Sequence, residues 1–180
     1  MKLDLIEQIE IPQGVEVKLD DTTLIVKGKN GEVVRNFVNP QIEISIVDNK
    51  VTLKSPKANK TIKRVLKTNF KHIKNMLQGV QEPFIYKLKI CSGHFPMNVT
   101  VAENKLTIKN FFGEKVPRVA ILPKEVKAKV NGEIIELSCP DIEKAGIAAS
   151  KIENLCRITN RDIRIFQDGC YLIHKAGKDL

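Results

Sequence analysis

One order of signals occurs twice along this chain, and the repetition constrains the fold more than any single motif. Pro12 with Val15 and Val17 matches Pro96 with Val99 and Val101. Leu24-Ile25-Val26-Lys27-Gly28 matches Leu106-Thr107-Ile108-Lys109-Asn110, and Asn30-Gly31-Glu32 matches Phe112-Gly113-Glu114. Ile42, Ile44 and Ile46 match Val126, Ala128 and Val130, and Asn49-Lys50-Val51 matches the run from Asn131 to Ile134. The separation between partners hardly drifts. That indicates one duplicated module of about 80 residues, not a solenoid, which needs three or more short repeats. The break falls at Gly79–Pro83, giving two domains, 1–82 and 83–180, each of which must close its own core.

Within a module the spacing is that of an α+β fold with mostly antiparallel strands. Val15, Val17 and Leu19 alternate with charged residues, and Leu24-Ile25-Val26 follows a turn at Asp20-Asp21. Asn30-Gly31 suits a tight hairpin, Val33 to Val38 forms the next strand, and Ile42, Ile44 and Ile46 alternate before Val51 and Leu53 return. Phe84, Tyr86, Leu88 and Ile90 alternate as an extra strand leading into the second module.

Each module then changes period. Ile62, Val65, Leu66, Phe70, Ile73, Met76 and Leu77 recur at three- and four-residue steps and predict a helix over 57–78, with Pro56 before it and Gly79 after it as punctuation. A second helix is expected from about Asp141 to Arg157. Its buried face runs Ile142, Ala145, Ala148, Ala149, Ile152, Leu155 and Cys156, and Asp141 caps it. Each helix should cover one face of its sheet.

The charge narrows the partner. Thirty basic residues against twenty-one acidic leave a net +9, the footprint of a polyanion binder. With no Trp, two Tyr and seven Phe, contacts to phosphates and helical shape are expected ahead of base stacking. Lys60, Arg64, Lys67, Lys71 and Lys74 step as one stripe on the first helix, with no acid between Asp48 and Glu82. Like charges so spaced repel one another, so an external polyanion is one reading of the stripe and a solvated face is the other. The second helix nearly cancels its charges. Basic residues move instead to the tail, where Arg161 and Arg164 flank Asp162, Asp168-Gly169 reads as a hairpin turn, and Lys175 and Lys178 lie near the end. The plainer alternative there is a surface hairpin in which Arg161 pairs with Asp162 or Asp168.

Catalysis and metal chemistry find no support. GxSxG, P-loop and GxGxxG patterns are absent, and Gly113-Glu114-Lys115 lacks the upstream glycine and the Ser/Thr of a phosphate-binding loop. Cys91, Cys139, Cys156 and Cys170 have no CxxC spacing and are expected as buried free thiols, and no His stands near a cysteine in a ligand pattern. No cofactor, metal or enzymatic activity is expected. There is no apolar run long enough for a membrane helix and no signal-peptide core at residues 1–11, so an intracellular location is expected. A free-standing DNA-binding module would carry a recognition helix or dimer signature, and neither is evident.

Three ordered motifs carry a resemblance. They are Tyr86-Lys87 with His94-Phe95-Pro96-Met97-Asn98-Val99; Ile108-Lys109-Asn110-Phe111-Phe112-Gly113-Glu114-Lys115; and Asn160-Arg161-Asp162-Ile163-Arg164 with Phe166, Asp168, Gly169 and Tyr171. Asn75 to Val80 adds a fourth, weaker match. Together they resemble the large-subunit ribosomal protein L-six family in its archaeal and eukaryotic branch, with Phe111-Phe112 standing where many members have Phe-Leu. The resemblance implies two homologous α+β modules and a structural role in the large ribosomal subunit, in the cytoplasm. It implies contact with large-subunit rRNA near the sarcin–ricin loop, beside proteins of the stalk base and near docking translation GTPases. Carried over position by position, it implies rRNA contacts at His94, Lys115, Arg118, Arg161, Arg164, Lys175 and Lys178, with Lys151 and Arg157 behind them.

Overall fold

The computed structural model describes residues 3–180 and divides the chain into two compact units, Met1–Pro83 and Phe84–Leu180. In the first unit, strands β1 (Leu3–Glu10), β5 (Glu43–Val47) and β6 (Lys50–Ala58) form an antiparallel sheet in the order β1-β6-β5. A second sheet is the meander β2 (Glu16–Asp20), β3 (Thr23–Gly28) and β4 (Gly31–Asn36). Helix α1 (Lys60–Gln81) buries Ile62, Leu66, Ile73, Met76 and Leu77 against a core that includes Leu24, Val26, Val51 and Leu53.

Strand β1 is not evident from hydrophobic alternation, and the structure gives the reason. Ile6 faces solvent at 59% exposure, while Glu7 occupies a half-buried position and bonds Lys67 Nζ at 2.5 Å. An acid facing inward and an isoleucine facing outward break the period-2 pattern. The same contact corrects the picture of α1 as a stripe without counter-charges, because Lys67 has one on β1. Lys60, Arg64, Lys71 and Lys74 are exposed.

The helix also starts and stops later than Pro56 and Gly79 suggested. Pro56 lies inside β6. Lys57, at φ 51°, donates its backbone N–H to Asp4 Oδ1 at 2.8 Å, and Asn59 caps the helix by accepting from Ile62 N at 2.9 Å. Gly79 is buried within the last turn. That turn continues because the β3–β4 hairpin grips it: Asn30 N donates to Val80 O at 3.1 Å and Asn30 Nδ2 to Gln81 O at 2.5 Å. Gly28 permits the approach, since a Cβ there would meet Val80 Cβ at 2.9 Å.

The second unit repeats the plan. β7 (Phe84–Cys91), β11 (Lys127–Asn131) and β12 (Ile134–Cys139) occupy the places of β1, β5 and β6, and β8 (Asn98–Ala102), β9 (Lys105–Lys109) and β10 (Arg118–Ile121) form the meander. Helix α2 (Ile142–Leu155) is capped by Asp141, whose side chain accepts from Glu143 N. It buries Ala145, Ala148, Ala149 and Ile152 in a core with Tyr86, Leu88, Ile135 and Leu137. The Tyr86 position that opens the second module is therefore the counterpart of β1, not an addition.

Two differences separate the copies. β13 (Gly169–Lys175) pairs antiparallel with the other edge of β7, and β14 (Lys178–Asp179) follows it, extending the sheet to β11-β12-β7-β13-β14. The equation of Phe112-Gly113 with Asn30-Gly31 also fails in detail. The first copy closes a two-residue hairpin with Gly28 opposite Gly31. The second interposes residues 110–117, including a 3-10 turn at Phe111–Gly113 in which Phe112 takes φ 49°, unusual for an aromatic residue.

Candidate nucleic-acid interface

Three irregular segments of the second unit meet at one end of its large sheet. Residues 92–97 leave β7, residues 110–117 join β9 to β10, and residues 156–168 lead from α2 to β13. The last of these is not the hairpin that Asp168-Gly169 suggested. Asp162 organises it as a compact turn, its carbonyl accepting from Ile165 N and Phe166 N at 3.1 and 2.9 Å and its carboxylate from Arg164 N at 2.9 Å.

Asp168 fastens this segment to the first. Its carboxylate, 2% exposed, accepts the backbone N–H of Gly93, that of His94 at 3.0 Å, and His94 Nδ1 at 2.5 Å. Burial alone would raise its pKa. The bonds from His94 and Gly93 outweigh burial and hold the carboxyl below the ordinary aspartate value. A buried carboxylate with several donors is a clamp.

Beside the clamp lies a cluster of rings. His94 stacks on Phe166 with centroids 4.8 Å apart, and Phe112 meets Phe166 edge-on at 5.7 Å and Phe111 at 4.7 Å. Arg161 lies over this bed, its guanidinium carbon 4.8 Å from the Phe166 centroid and 5.3 Å from that of Phe112. Cation–π placement leaves the guanidinium edge turned outward. Arg161 therefore does not pair with Asp162 or Asp168; Arg164 takes Asp162, through Nη2 at 2.8 Å and Nε at 3.1 Å. That pairing lowers the Asp162 pKa and raises that of Arg164, whose side chain is 87% exposed.

Arg118 is placed differently. Its Nε and Nη2 fork onto Glu114, Nη1 donates to Leu155 O at 2.7 Å, and the guanidinium covers Phe111 at 4.2 Å. It satisfies a carbonyl at the C-terminus of α2 and ties the 110–117 loop to it. The hydrogen bond from Arg118 depresses the Glu114 pKa. Arg118 thus shapes the surface instead of projecting from it.

The structure brings His94, Lys115, Arg118, Arg157, Arg161 and Arg164 onto the three segments or their margins, with Lys115, Arg157, Arg161 and Arg164 exposed. Lys151 stands apart on α2, its Nζ 3.5 Å from Ile121 O. Lys175 and Lys178 sit opposite each other at the far end of β13, where Lys175 pairs in register with Tyr86. The sequence places Asp168, Phe112, Phe166 and Glu114 within the motifs that carry the resemblance, but they were not among the expected contact residues. Among the described residues no group of His, Cys, Asp or Glu is arranged to hold a metal, no helix is long and apolar enough to cross a membrane, and the four cysteines are free.

Comparison with known proteins agrees with the motifs. The family model for ribosomal protein L6 matches residues 11–83 and 95–169, one segment in each unit. A large ribosomal subunit protein uL6 from Nanoarchaeum equitans is 44% identical, across 100% of this chain and 98% of the relative. Those from Methanococcus vannielii and Haloarcula marismortui are 43% and 36% identical, covering 97% and 95% of this chain and 96% of each relative. The chain belongs to the ribosomal protein L6 family.

Proposed function

We propose that this chain is a structural, non-enzymatic constituent of the large ribosomal subunit, in the cytoplasm, and that it holds large-subunit rRNA through the three-segment surface of its second unit. The observation that carries this reading is Arg161 presented on the Phe112–Phe166 bed, next to the exposed Arg164 and the clamped His94. A guanidinium so held has already lost part of its rotamer freedom and can fork onto phosphate or a base edge. Lys115 and Arg157 extend the positive margin, Arg118 keeps the loop in place, and Lys151, Lys175 and Lys178 are outlying contacts. The α1 cations Lys60, Arg64, Lys71 and Lys74, with Lys67, offer a second face for the same backbone chemistry.

The resemblance carried by residues 86–115 and 160–171 supports a finer location, beside the sarcin–ricin loop and the stalk base. There the proteins of the stalk base would be neighbours and translation GTPases would dock nearby. The role in that place is mechanical: each module holds the RNA it contacts in place.

Binding of the full chain to deproteinised large-subunit rRNA, measured across salt concentrations, tests the assignment. Arg161→Ala with Arg164→Ala should weaken binding and flatten the log–log salt slope by roughly two units, at about 0.9 per phosphate contact on duplex. Unchanged affinity and slope would remove these arginines from the interface. Hydroxyl-radical footprinting of the same complex tests the location.

A further inference from the structure

We propose that the open cavity between the 92–94 segment, the 163–167 segment and Tyr171 receives one unpaired RNA base. This rests on the rRNA-binding reading above and specifies which part of the RNA the site takes.

The cavity, of about 750 Å³, is lined by Cys91, Ser92, His94, Ile163, Ile165 and Tyr171 among others. That volume is ample for one nucleotide. Its walls are unusual for a free surface. Ile163 and Ile165 are 70% and 64% exposed, although the backbone around them is fastened through Asp162. Two isoleucines held outward by an ordered turn are an apolar patch that calls for an occupant. Tyr171 forms the facing wall. Its ring lies across Gly169, so that a Cβ there would come within 3.2 Å of Cζ and Oη. The bare glycine lets the ring lie across the sheet instead of standing off it.

Charge selects the occupant. Arg161 and Arg164 bracket Ile163 in the chain, and Lys89 sits beside Tyr171 in the β7–β13 register. Apolar walls with Arg161 and Arg164 in the same turn as Ile163, and Lys89 beside Tyr171, match a nucleotide, with a flat apolar base and an anionic phosphate. An apolar protein side chain would satisfy the isoleucines but would offer no anion to the exposed Arg161 and Lys89. Ser92 and the clamped His94 supply the polar edge that a base can hydrogen-bond, and stacking on Tyr171 tolerates any base. Tyr171 thus takes part in base contact at one point, where phosphate and shape contacts had been expected ahead of stacking.

The test uses the full chain with deproteinised large-subunit rRNA, probed by dimethyl sulfate and carbodiimide, which report base edges. The wild-type protein should protect an isolated unpaired base. Ile163→Ser with Ile165→Ser should abolish that protection and weaken binding roughly ten-fold, in the range of one lost stacking contact. The salt slope should stay constant, since no phosphate contact is removed. Tyr171→Leu, which keeps apolar bulk without the ring, should lose part of the same protection, and an unchanged thermal transition of each variant excludes unfolding. Wild-type binding without a protected base, or unchanged affinity and protection in the double variant, overturns the proposal. So does loss of subunit incorporation with RNA affinity intact, which assigns the cavity to a protein neighbour. Failure of the wild-type chain to bind rRNA at all would instead overturn the RNA-binding reading on which the cavity assignment rests.

Discussion

Asp168 offers the sharpest test of how the interface is built. Asp168→Ala leaves three donors without their acceptor: Gly93 N, His94 N and His94 Nδ1. An orphaned donor costs about 1–3 kcal/mol when water cannot reach it. Gly93 and His94 are themselves exposed, so water recovers part of that, and the expected loss is about 2–4 kcal/mol. Asp168→Asn keeps one acceptor oxygen and should cost about half as much. The pH dependence follows from the depressed carboxyl. The unfolded chain binds this proton near pH 3.9 and the folded chain only below that, so the contribution is whole above about pH 5 and fades as pH falls through the folded value. The wild type should therefore lose its advantage over Asp168→Asn progressively as pH falls below about 5. The chain has no Trp, and its two tyrosines, Tyr86 and Tyr171, both lie in Phe84–Leu180. Tyrosine fluorescence in urea thus reports the relevant unit alone. A gap under about 0.5 kcal/mol at pH 7, within the range of a neutral surface change, refutes the clamp. So does a gap that is the same at pH 3 as at pH 7.

Two further outcomes follow from close contacts elsewhere. Gly28→Ala places a Cβ 2.9 Å from Val80 Cβ and Cγ2 and 3.0 Å from its carbonyl oxygen. It should cost about 1–3 kcal/mol by overpacking, read as faster hydrogen exchange at the Val80, Gln81 and Glu82 amides; unchanged protection there contradicts the contact. Arg118→Lys exchanges a two-pronged bond to Glu114 and a stacked guanidinium for a single ammonium. The Glu114 carboxyl should return towards the ordinary glutamate range by NMR titration, and an unmoved titration would show that Arg118 is not what lowers it.

How far the fold could be read depended on where each residue's partner lies. The alternation of Phe84, Tyr86, Leu88 and Ile90 is plain because β7 has a helix-covered core on one face only, and all four side chains are buried. The β1 strand carries the same role and is hidden, because Glu7 faces inward and is compensated by Lys67, which is 60 residues away. Gly113 looked like the counterpart of Gly31 from its place in the repeat, and both do take positive φ. What separates them is the length of chain between paired strand ends, and register fixes that where residue type does not. Asp168 was misread for a related reason. An acid before a glycine is a sound turn signal, but its donors lie 74 and 75 residues away, beyond any local pattern.

The duplicated plan explains why the interface forms in one copy. β1 and β7 hold equivalent places, but only β7 is paired on both edges, with β12 on one side and β13 on the other. The antiparallel register sets Gly169 opposite Cys91. The residue before Gly169 must then lie beside the residues after Cys91, which brings Asp168 to Gly93 and His94. The same pairing puts Tyr171 next to Lys89 on the sheet face away from the buried Leu88 and Cys170. A one-residue slip would turn Cys170 outward and Tyr171 into the core. Burial of Cys170 therefore enforces the register that assembles the site, so core packing and the proposed RNA contact rest on one strand pairing. In the first unit the matching hairpin is tight, its turn is spent on the end of α1, and a row of exposed cations, Lys60, Arg64, Lys71 and Lys74, lies on the helix. That surface suits phosphate contact and has no clamp to order loops around a base.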